Sequence, residues 1–529
     1  MSLELPDSFL SIPCFDDLVA RVNVPSLVDR SKRGIADLDE IANVFSIQVK
    51  EAMSSILKAL DRNNLVNERG YQILIQTLAL KIFDEKRNEK NQEIKLRFYI
   101  NEDEKDFSGL HETSIQNFLV RMKTIYDEAE SYYKEILREV AINWKNEKHV
   151  RAVIAIVENF QDYSFVRSQN NDLYQLVFYN FARRFQKVDK AQYLTPQPLI
   201  DFLVKIVNPR GNESVCDPCV GIADFLSMAY VNAKRIGKEL DDANLWGVDI
   251  DEYMIMLAEL NMLLNGDGKT HLLKATSDHG SITQKISKDG ERELVQLIPS
   301  LHKNGNWDNW KDNTQLRKFN VVLTNPPFGK GRSFEVKTER DRQIVEMYET
   351  WNTDKESTKN KQSGKGAMDK GILFIENAYQ ILDRNGRIGI VTSNSIASID
   401  QWKAVRVNWL MERMRIVAIF DLPPEVFAET GVNTTLIVAY KPSSEELERL
   451  KSQNYSVFIR EIKKVGYEKK THKRNVTFEP LFKIDPVTFE IVTDKDGGPV
   501  LDEEFSKFVN EFREWALTQE ETLQKIFIR

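Results

Sequence analysis

Val321-Val322-Leu323-Thr324-Asn325-Pro326-Pro327-Phe328 is the stretch around which the chain reads as organised. Four apolar or β-branched residues after a charged, Trp-rich approach predict a buried strand. The two prolines end it, because neither donates to a sheet ladder and each fixes its own φ. An amide, two backbone carbonyls and an aromatic ring are thereby set on a stiff turn at a strand's carboxyl end. Open α/β sheets bind their ligands there.

Such a turn suits chemistry on an exocyclic amine. The N6 amino group of adenine is a poor nucleophile because its lone pair is delocalised into the ring. The side-chain oxygen of Asn325 and the carbonyl of Pro326 can accept its two N–H bonds, which favours a pyramidal nitrogen and frees the lone pair. Acceptors held in place beforehand act on the transition state more than on the ground state. Phe328 can stack on the face of an unstacked base. A proline-stiffened turn with a buried Phe is the plain structural alternative, so the weight passes to the rest of the chain.

Upstream, Ser214-Val215-Cys216-Asp217-Pro218-Cys219-Val220-Gly221-Ile222-Ala223-Asp224-Phe225 reads as strand, loop and helix. It predicts the first strand-to-helix turn of a doubly wound sheet, where small residues let a nucleotide-like ligand approach the backbone. Asn244 to Ile250 predicts the next strand, with Asp249 at its end, placed to accept bonds from both hydroxyls of a ribose. A helix carrying Met254, Leu257, Ala258, Asn261, Met262 and Leu264 follows, and its apolar face is core. The Cys216-x-x-Cys219 pair raises zinc and redox readings. Zinc needs two more ligands, and one further cysteine with six scattered histidines offers no closing pair. A redox motif sets its first cysteine at a helix start, whereas Cys216 lies in the strand.

The Asn-Pro-Pro-Phe turn resembles the Asn-Pro-Pro-aromatic motif of the amino-methyltransferases, which methylate adenine N6, cytosine N4 or a glutamine side chain. From about Tyr71 to about Asn475 the chain resembles the modification (methylase) subunit of type I restriction-modification systems. The resemblance implies S-adenosylmethionine as cofactor. Asp217, Pro218, Gly221 and Phe225 match the family's Asp-Pro-x-x-Gly-x-Gly-x-Phe loop. Ala223 replaces the second glycine and Asp224 follows it. Glycine there permits the closest backbone approach, so Ala223 implies a weaker cofactor site or a different loop path. Gln192-Tyr193-Leu194-Thr195-Pro196-Gln197 is similar to the family's Tyr-x-Thr-Pro segment, which packs against the cofactor's methionine end. A plain helix start capped by Thr195, with Pro196 in the first helical position, accounts for it equally. His271 to Asp278 resembles the third strand with its terminal acid. Relatives use that acid against the cofactor adenine, here Asp278 or, in the other register, Thr276. The implied cofactor set is thus Gln192 to Gln197, Asp217, Gly221, Ile222, Ala223, Asp224, Phe225, Asp249 and Asp278. The implied catalytic set is Asn325, Pro326, Pro327 and Phe328, with no metal.

The 529 residues allow more than one domain, and a 42% hydrophobic, 29% charged composition is ordinary for a globular protein. No apolar run approaches a membrane span and the amino terminus lacks a secretion signal, so a cytoplasmic protein is expected. A net charge of −7 argues against a general nucleic-acid coat, though not against an enzyme that handles one base within a complex. Residues 1–44 read as an irregular arm and 45–188 as a helical domain. Its stripes run through Met53, Ile56 and Leu60, through Leu74, Leu78 and Ile82, through Phe118, Met122 and Ile125, and through Leu173, Leu176 and Phe181. Residues 189–445 read as the catalytic domain. The charged stretch from Gly329 to about Lys370, with Lys359, Lys361 and Lys365, reads as a long loop beside the base pocket, either a DNA-contacting lid or merely solvated. Thr434 to Tyr440 is the last strong strand, which in this family runs antiparallel to the rest. Residues 446–529 read as a charged, mostly helical extension, and Lys464, Lys469, Lys470, Lys473 and Arg474 suggest phosphate contacts.

The expected fold is therefore α/β, a Rossmann-like, seven-stranded mixed sheet of the S-adenosylmethionine-dependent methyltransferase type behind an amino-terminal helical domain. The expected function is adenine-N6 methylation of double-stranded DNA with the adenine flipped out. Fewer residues follow Tyr440 than a target-recognition domain needs, which points to a separate specificity subunit. A restriction subunit and a second copy of the chain are further expected partners. Cytosine-N4 or protein-glutamine methylation is the alternative chemistry, and an inactive DNA-binding scaffold the alternative class.

Overall fold

The structure, a computed structural model, describes residues 30–41, 47–66, 68–137, 141–168, 195–265, 269–274, 283–286, 292–295, 316–327, 333–337, 342, 345–346, 348–357, 367–398, 402–424, 426–427, 433–472, 475–494 and 498–528. The chain divides into two compact units, 1–188 and 189–529.

The first unit is built on four helices, α1 (Ile47–Arg62), α2 (Glu68–Lys90), α3 (Thr113–Ala129) and α4 (Glu147–Phe160). Their i, i+3, i+4 stripes turn inward, so Met53, Ile56, Leu74, Leu78, Phe118, Met122 and Ile125 are all buried. The Lys81–Glu85 ion pair, at 2.7 Å, is buried on one side of α2. Glu85 survives there because Oε2 also accepts from the Ser164 hydroxyl and the Val166 amide, each at 2.9 Å. Of the expected arm, residues 30–41 are described, and they dock on these helices. Ile35, Leu38 and Ile41 are buried, and Asp39–Glu40 pairs in parallel with Tyr163–Ser164. The Leu173 to Phe181 stripe lies outside the described residues.

The second unit is organised on one sheet of eight strands: β1 (Val215–Asp217), β2 (Leu245–Asp249), β3 (His271–Lys274), β4 (Phe319–Thr324), β5 (Leu382–Ser393), β6 (Arg415–Asp421), β7 (Thr434–Tyr440) and β8 (Phe458–Glu461). Their spatial order is β8-β6-β7-β5-β4-β1-β2-β3. Only β7 runs against its neighbours; the other pairings are parallel. Central strands covered on both faces need apolar residues on both, and β4 meets this with Val321, Val322 and Leu323, all buried. Val321 and Leu323 face a layer made by helices α5 (Gln197–Val207), α6 (Asp224–Arg235), α7 (Glu252–Leu264), α9 (Phe505–Ala516) and α10 (Glu521–Phe527), while Val322 faces α8 (Lys370–Ile381).

Three expectations change. The sheet has eight strands rather than seven, since β8 pairs in parallel with β6. Its short run Phe458-Ile459-Arg460-Glu461 is an edge strand with one buried face, Phe458 in the core and Ile459 exposed. The stretch after 446 is accordingly not a mostly helical extension. It also carries the hairpin Tyr467–His472/Asn475–Pro480, and α9 buries Phe505, Phe508, Val509 and Phe512 in the sheet's core. Buried Arg415 of β6 is held by Glu520 at 2.8 Å. Finally, the segment after Phe328 is not one structureless loop. Ser333–Glu335 pairs with Ala367–Asp369, and the helix Glu349–Ser357 seats Trp351 in the core. Glu376 of α8 accepts from the Glu349 and Thr350 amides at that helix's start, each at 3.0 Å. Lys359, Lys361 and Lys365 lie outside the described residues.

Candidate active site

Strand β1 pairs with β2 on one side and β4 on the other, with Val215 opposite Leu245 and Val321 and Cys216 opposite Trp246 and Val322. Chain order runs outward from β1 to β2 and β3 on one side and resumes with β4 on the other, so a crevice opens at the carboxyl ends of β1 and β4. The loop after Asp217 and the turn after Thr324 stand side by side at that edge.

Asp217 is buried, and its Oδ1 accepts from the Cys219 amide at 2.9 Å. Burial pushes its carboxyl up to about 7, against the lowering effect of the Cys219 amide and the Thr324 hydroxyl, while nearby Asp249 raises it further. The loop then turns through Gly221 at φ +51° and Ala223 at φ +63°, ψ 29°. Open space surrounds the position of a Cβ on Gly221. Ala223 is in the left-handed region that usually takes glycine, and it is wholly buried, packed with the α5–α6 core. Its methyl therefore costs backbone strain and does not block the surface of the loop.

Asp249 ends β2 and shapes the same loop. Its Oδ2 accepts from the Gly221 amide at 3.0 Å and its Oδ1 from the Asp251 amide at 2.9 Å. Burial lifts its carboxyl to about 6, opposed by those amides. The Ile250 amide is a third backbone neighbour, and the carboxylate's remaining acceptor capacity is what a further donor would use. Asn261 of α7, read as part of an apolar face, completes the loop. Its Nδ2 donates to the Ile222 carbonyl at 2.7 Å. An Asn on an otherwise apolar stripe was the available signal. Gly247 on β2 leaves room for Val220, whose Cγ2 would lie 2.5 Å from a Cβ there.

On the turn after β4, Asn325 Nδ2 donates to the Thr195 hydroxyl at 2.8 Å. Its Oδ1 is buried and takes no hydrogen bond from the described residues. Pro326 is buried beside it. Thr195 is not the helix cap expected of it. Helix α5 starts one residue later, with Pro196 as N-cap and Pro198 in its first turn. Further along the edge, the Thr435 hydroxyl donates to Asp421 at 2.8 Å and the Asn394 amide to Asp421 at 3.3 Å, tying the ends of β5, β6 and β7 together.

The structure thus brings together Thr195, Pro196, Gln197, Asp217, Gly221, Ile222, Ala223, Asp224, Phe225, Asp249, Asn325, Pro326 and Pro327. Gln192, Tyr193, Leu194, Asp278 and Phe328 lie outside the described residues. Cys216 is buried in the sheet core and both it and Cys219 are free thiols. Of the basic run, Lys464 pairs with Asp502 at 3.0 Å and Lys470 with Glu479 at 2.6 Å, so both charges are locally balanced.

A mixed sheet whose only antiparallel strand is β7, with a small-residue loop at β1 and an acid at β2, defines the S-adenosylmethionine-dependent methyltransferase fold. The chain belongs to the N-6 DNA Methylase family, whose model matches residues 167–514. Its relatives include the methylase subunit of the type I restriction enzyme EcoKI of Escherichia coli K12, 21% identical over 388 residues that span 70% of this chain and 63% of that subunit. The StySJI methylase subunit of Salmonella typhimurium is 23% identical over 312 residues, 56% of this chain and 46% of its own length. The chain thus spans less than two thirds of the length of these curated relatives. The crystal structure of a type I restriction-modification methyltransferase subunit from Streptococcus thermophilus has the same fold, with a TM-score of 0.50 at 14% identity, covering 88% of this chain and 93% of that one.

Proposed function

We propose that this chain methylates adenine N6 in DNA with S-adenosylmethionine as donor, acting as the modification subunit of a type I restriction-modification complex. The observation that carries the reading is Asn325 Oδ1, a buried acceptor with no donor among the described residues, on a proline-stiffened turn beside the Asp217 loop. A buried unpaired acceptor is costly, and an amine that donates to it recovers that cost.

The loop and its neighbours fit the cofactor. Gly221 leaves open space at its backbone, and Asp249 keeps acceptor capacity at the end of β2. Gln192, Tyr193, Leu194, Pro196, Gln197, Asp217, Gly221 to Phe225, Asp249 and Asp278 would hold it, and when bound it supplies a methyl group activated on a sulfonium. The chain's own part is to position the target. Asn325 Oδ1 and the Pro326 carbonyl accept the two amino hydrogens and draw the nitrogen toward a pyramidal, more nucleophilic form. Phe328 stacks on the flipped base, which accounts for an aromatic residue at that position.

The partners of this reading are double-stranded DNA, a separate specificity subunit, a restriction subunit and a second copy of the chain. Relatives described as methylase subunits of type I enzymes support it. No described helix is long and apolar enough to cross a membrane. Incubation with DNA and methyl-labelled S-adenosylmethionine, followed by digestion to nucleosides, tests the proposal. Label in N6-methyl-2′-deoxyadenosine is expected; label only in N4-methyl-2′-deoxycytidine, or only in protein, would overturn it.

A further inference from the structure

We infer that Thr195 is a positioning residue that holds the amide of Asn325 by its nitrogen end, leaving the oxygen free for the target amine; this rests on the function proposed above. The hydrogen bond joins residues 130 positions apart, at 2.8 Å, from the start of α5 to the end of β4. The Asn325 oxygen at the other end of the same amide has no hydrogen-bond partner among the described residues. An Asn side chain turns about a broad, nearly two-fold torsion, so its oxygen and nitrogen exchange places easily unless something holds them. An amine can donate only to the oxygen. A hydroxyl accepts as readily as it donates, so Thr195 satisfies the nitrogen in the orientation that an incoming amine requires. Thr195 is itself only 7% exposed, which leaves little access for water to take its place.

Sequence resemblance gives the Thr195 segment to the cofactor's methionine end. The structure directs its hydroxyl to the catalytic turn instead, since the helix is capped one residue later and does not use that hydroxyl. The two roles predict different losses. A cofactor contact would weaken cofactor binding, whereas a positioning contact lowers turnover and leaves binding alone.

The test compares Thr195→Val, which keeps the shape and removes the hydroxyl, with Thr195→Ser, which restores it. Methylation of DNA is measured as kcat and KM, S-adenosylmethionine binding by calorimetry, and the Asn325 orientation by crystallography of each variant. Thr195→Val is expected to lower kcat about 10- to 100-fold, the scale of a small misplacement of a reacting group. Its KM for DNA and its cofactor affinity should stay within about twofold of wild type. Thr195→Ser should recover most of kcat. In crystals of Thr195→Val the Asn325 amide should leave its wild-type position. Unchanged turnover, a parallel loss of cofactor binding, or a serine variant as poor as valine would overturn the inference. Should the wild type methylate no DNA, the proposed function falls, and the crystal structures still decide whether Thr195 holds the amide.

Discussion

Asp249 accepts a hydrogen bond from the Gly221 amide at 3.0 Å, so the acid at the end of β2 also sets the path of the loop after β1. One carboxylate therefore builds the loop and, on the proposed function, would also accept from the cofactor's ribose. It is buried enough to titrate near 6.

That value makes cofactor affinity pH-dependent. Hydroxyl donors of a ribose bind the ionised carboxylate better than the acid, so affinity rises with pH through about 6 and levels above it. The dissociation constant at pH 5 is expected to be about tenfold that at pH 7. Calorimetry at a series of pH values measures it, and Asp249→Asn should weaken binding and flatten the profile.

Asp217 acts on stability in the opposite sense. Its carboxyl titrates near 7 in the folded chain, against 3.8 ordinarily. Between those values the folded chain keeps a proton that the unfolded chain releases, so this group's contribution falls as pH rises toward 7 and is flat above it. Asp217→Asn, which resembles the protonated form, should gain on the wild type by about 3 kcal/mol between pH 5 and pH 8 in urea melts.

Ala223→Gly should change little. Relief of the left-handed strain, about 1–2 kcal/mol, is offset by the entropy of a new glycine and the loss of a buried methyl. Thermal melting is expected within about 1 kcal/mol of wild type, and cofactor affinity within about threefold because Ala223 is wholly buried.

Asn325→Ala should abolish the acceptor without touching the Asp217 loop. Methylation is expected to fall at least about 100-fold, as when one preorganised polar group is deleted. Calorimetric affinity for S-adenosylmethionine should be largely spared. An equal loss of both would show that Asn325 serves the cofactor.

Glu520→Ala tests whether the carboxyl-terminal helices are integral. It leaves the buried Arg415 guanidinium without its carboxylate and removes the nearer acceptor of the Tyr440 hydroxyl, at 3.0 Å, leaving Glu446 at 3.4 Å. A loss of about 3–5 kcal/mol in unfolding free energy is expected. A change under about 1 kcal/mol would mean that the pair is dispensable.

The main strands between Val215 and Tyr440 with their helices, the two strand-end acids and the Asn-Pro-Pro turn were legible in the amino-acid sequence, because each is local. Val321 to Leu323 report burial on both faces, prolines 326 and 327 report a stop, and a small-residue loop between strand and helix reports a turn. Partner choice is not local, and there the tertiary structure decided. Nothing in Phe458 to Glu461 says that so short a run will find β6 as an edge, and nothing in Phe505 to Phe512 says that its apolar face covers the same sheet as α5. Strand β1 neighbours β4 because helices must cover both faces of a parallel sheet, and only that adjacency sets Asp217 next to the turn at Asn325. The Thr195 segment reads from sequence equally as a capped helix start or as a contact to the cofactor's methionine end. Its hydroxyl instead meets an amide 130 residues away, since a side chain at the boundary of a helix bonds whichever polar group the packed chain presents to it.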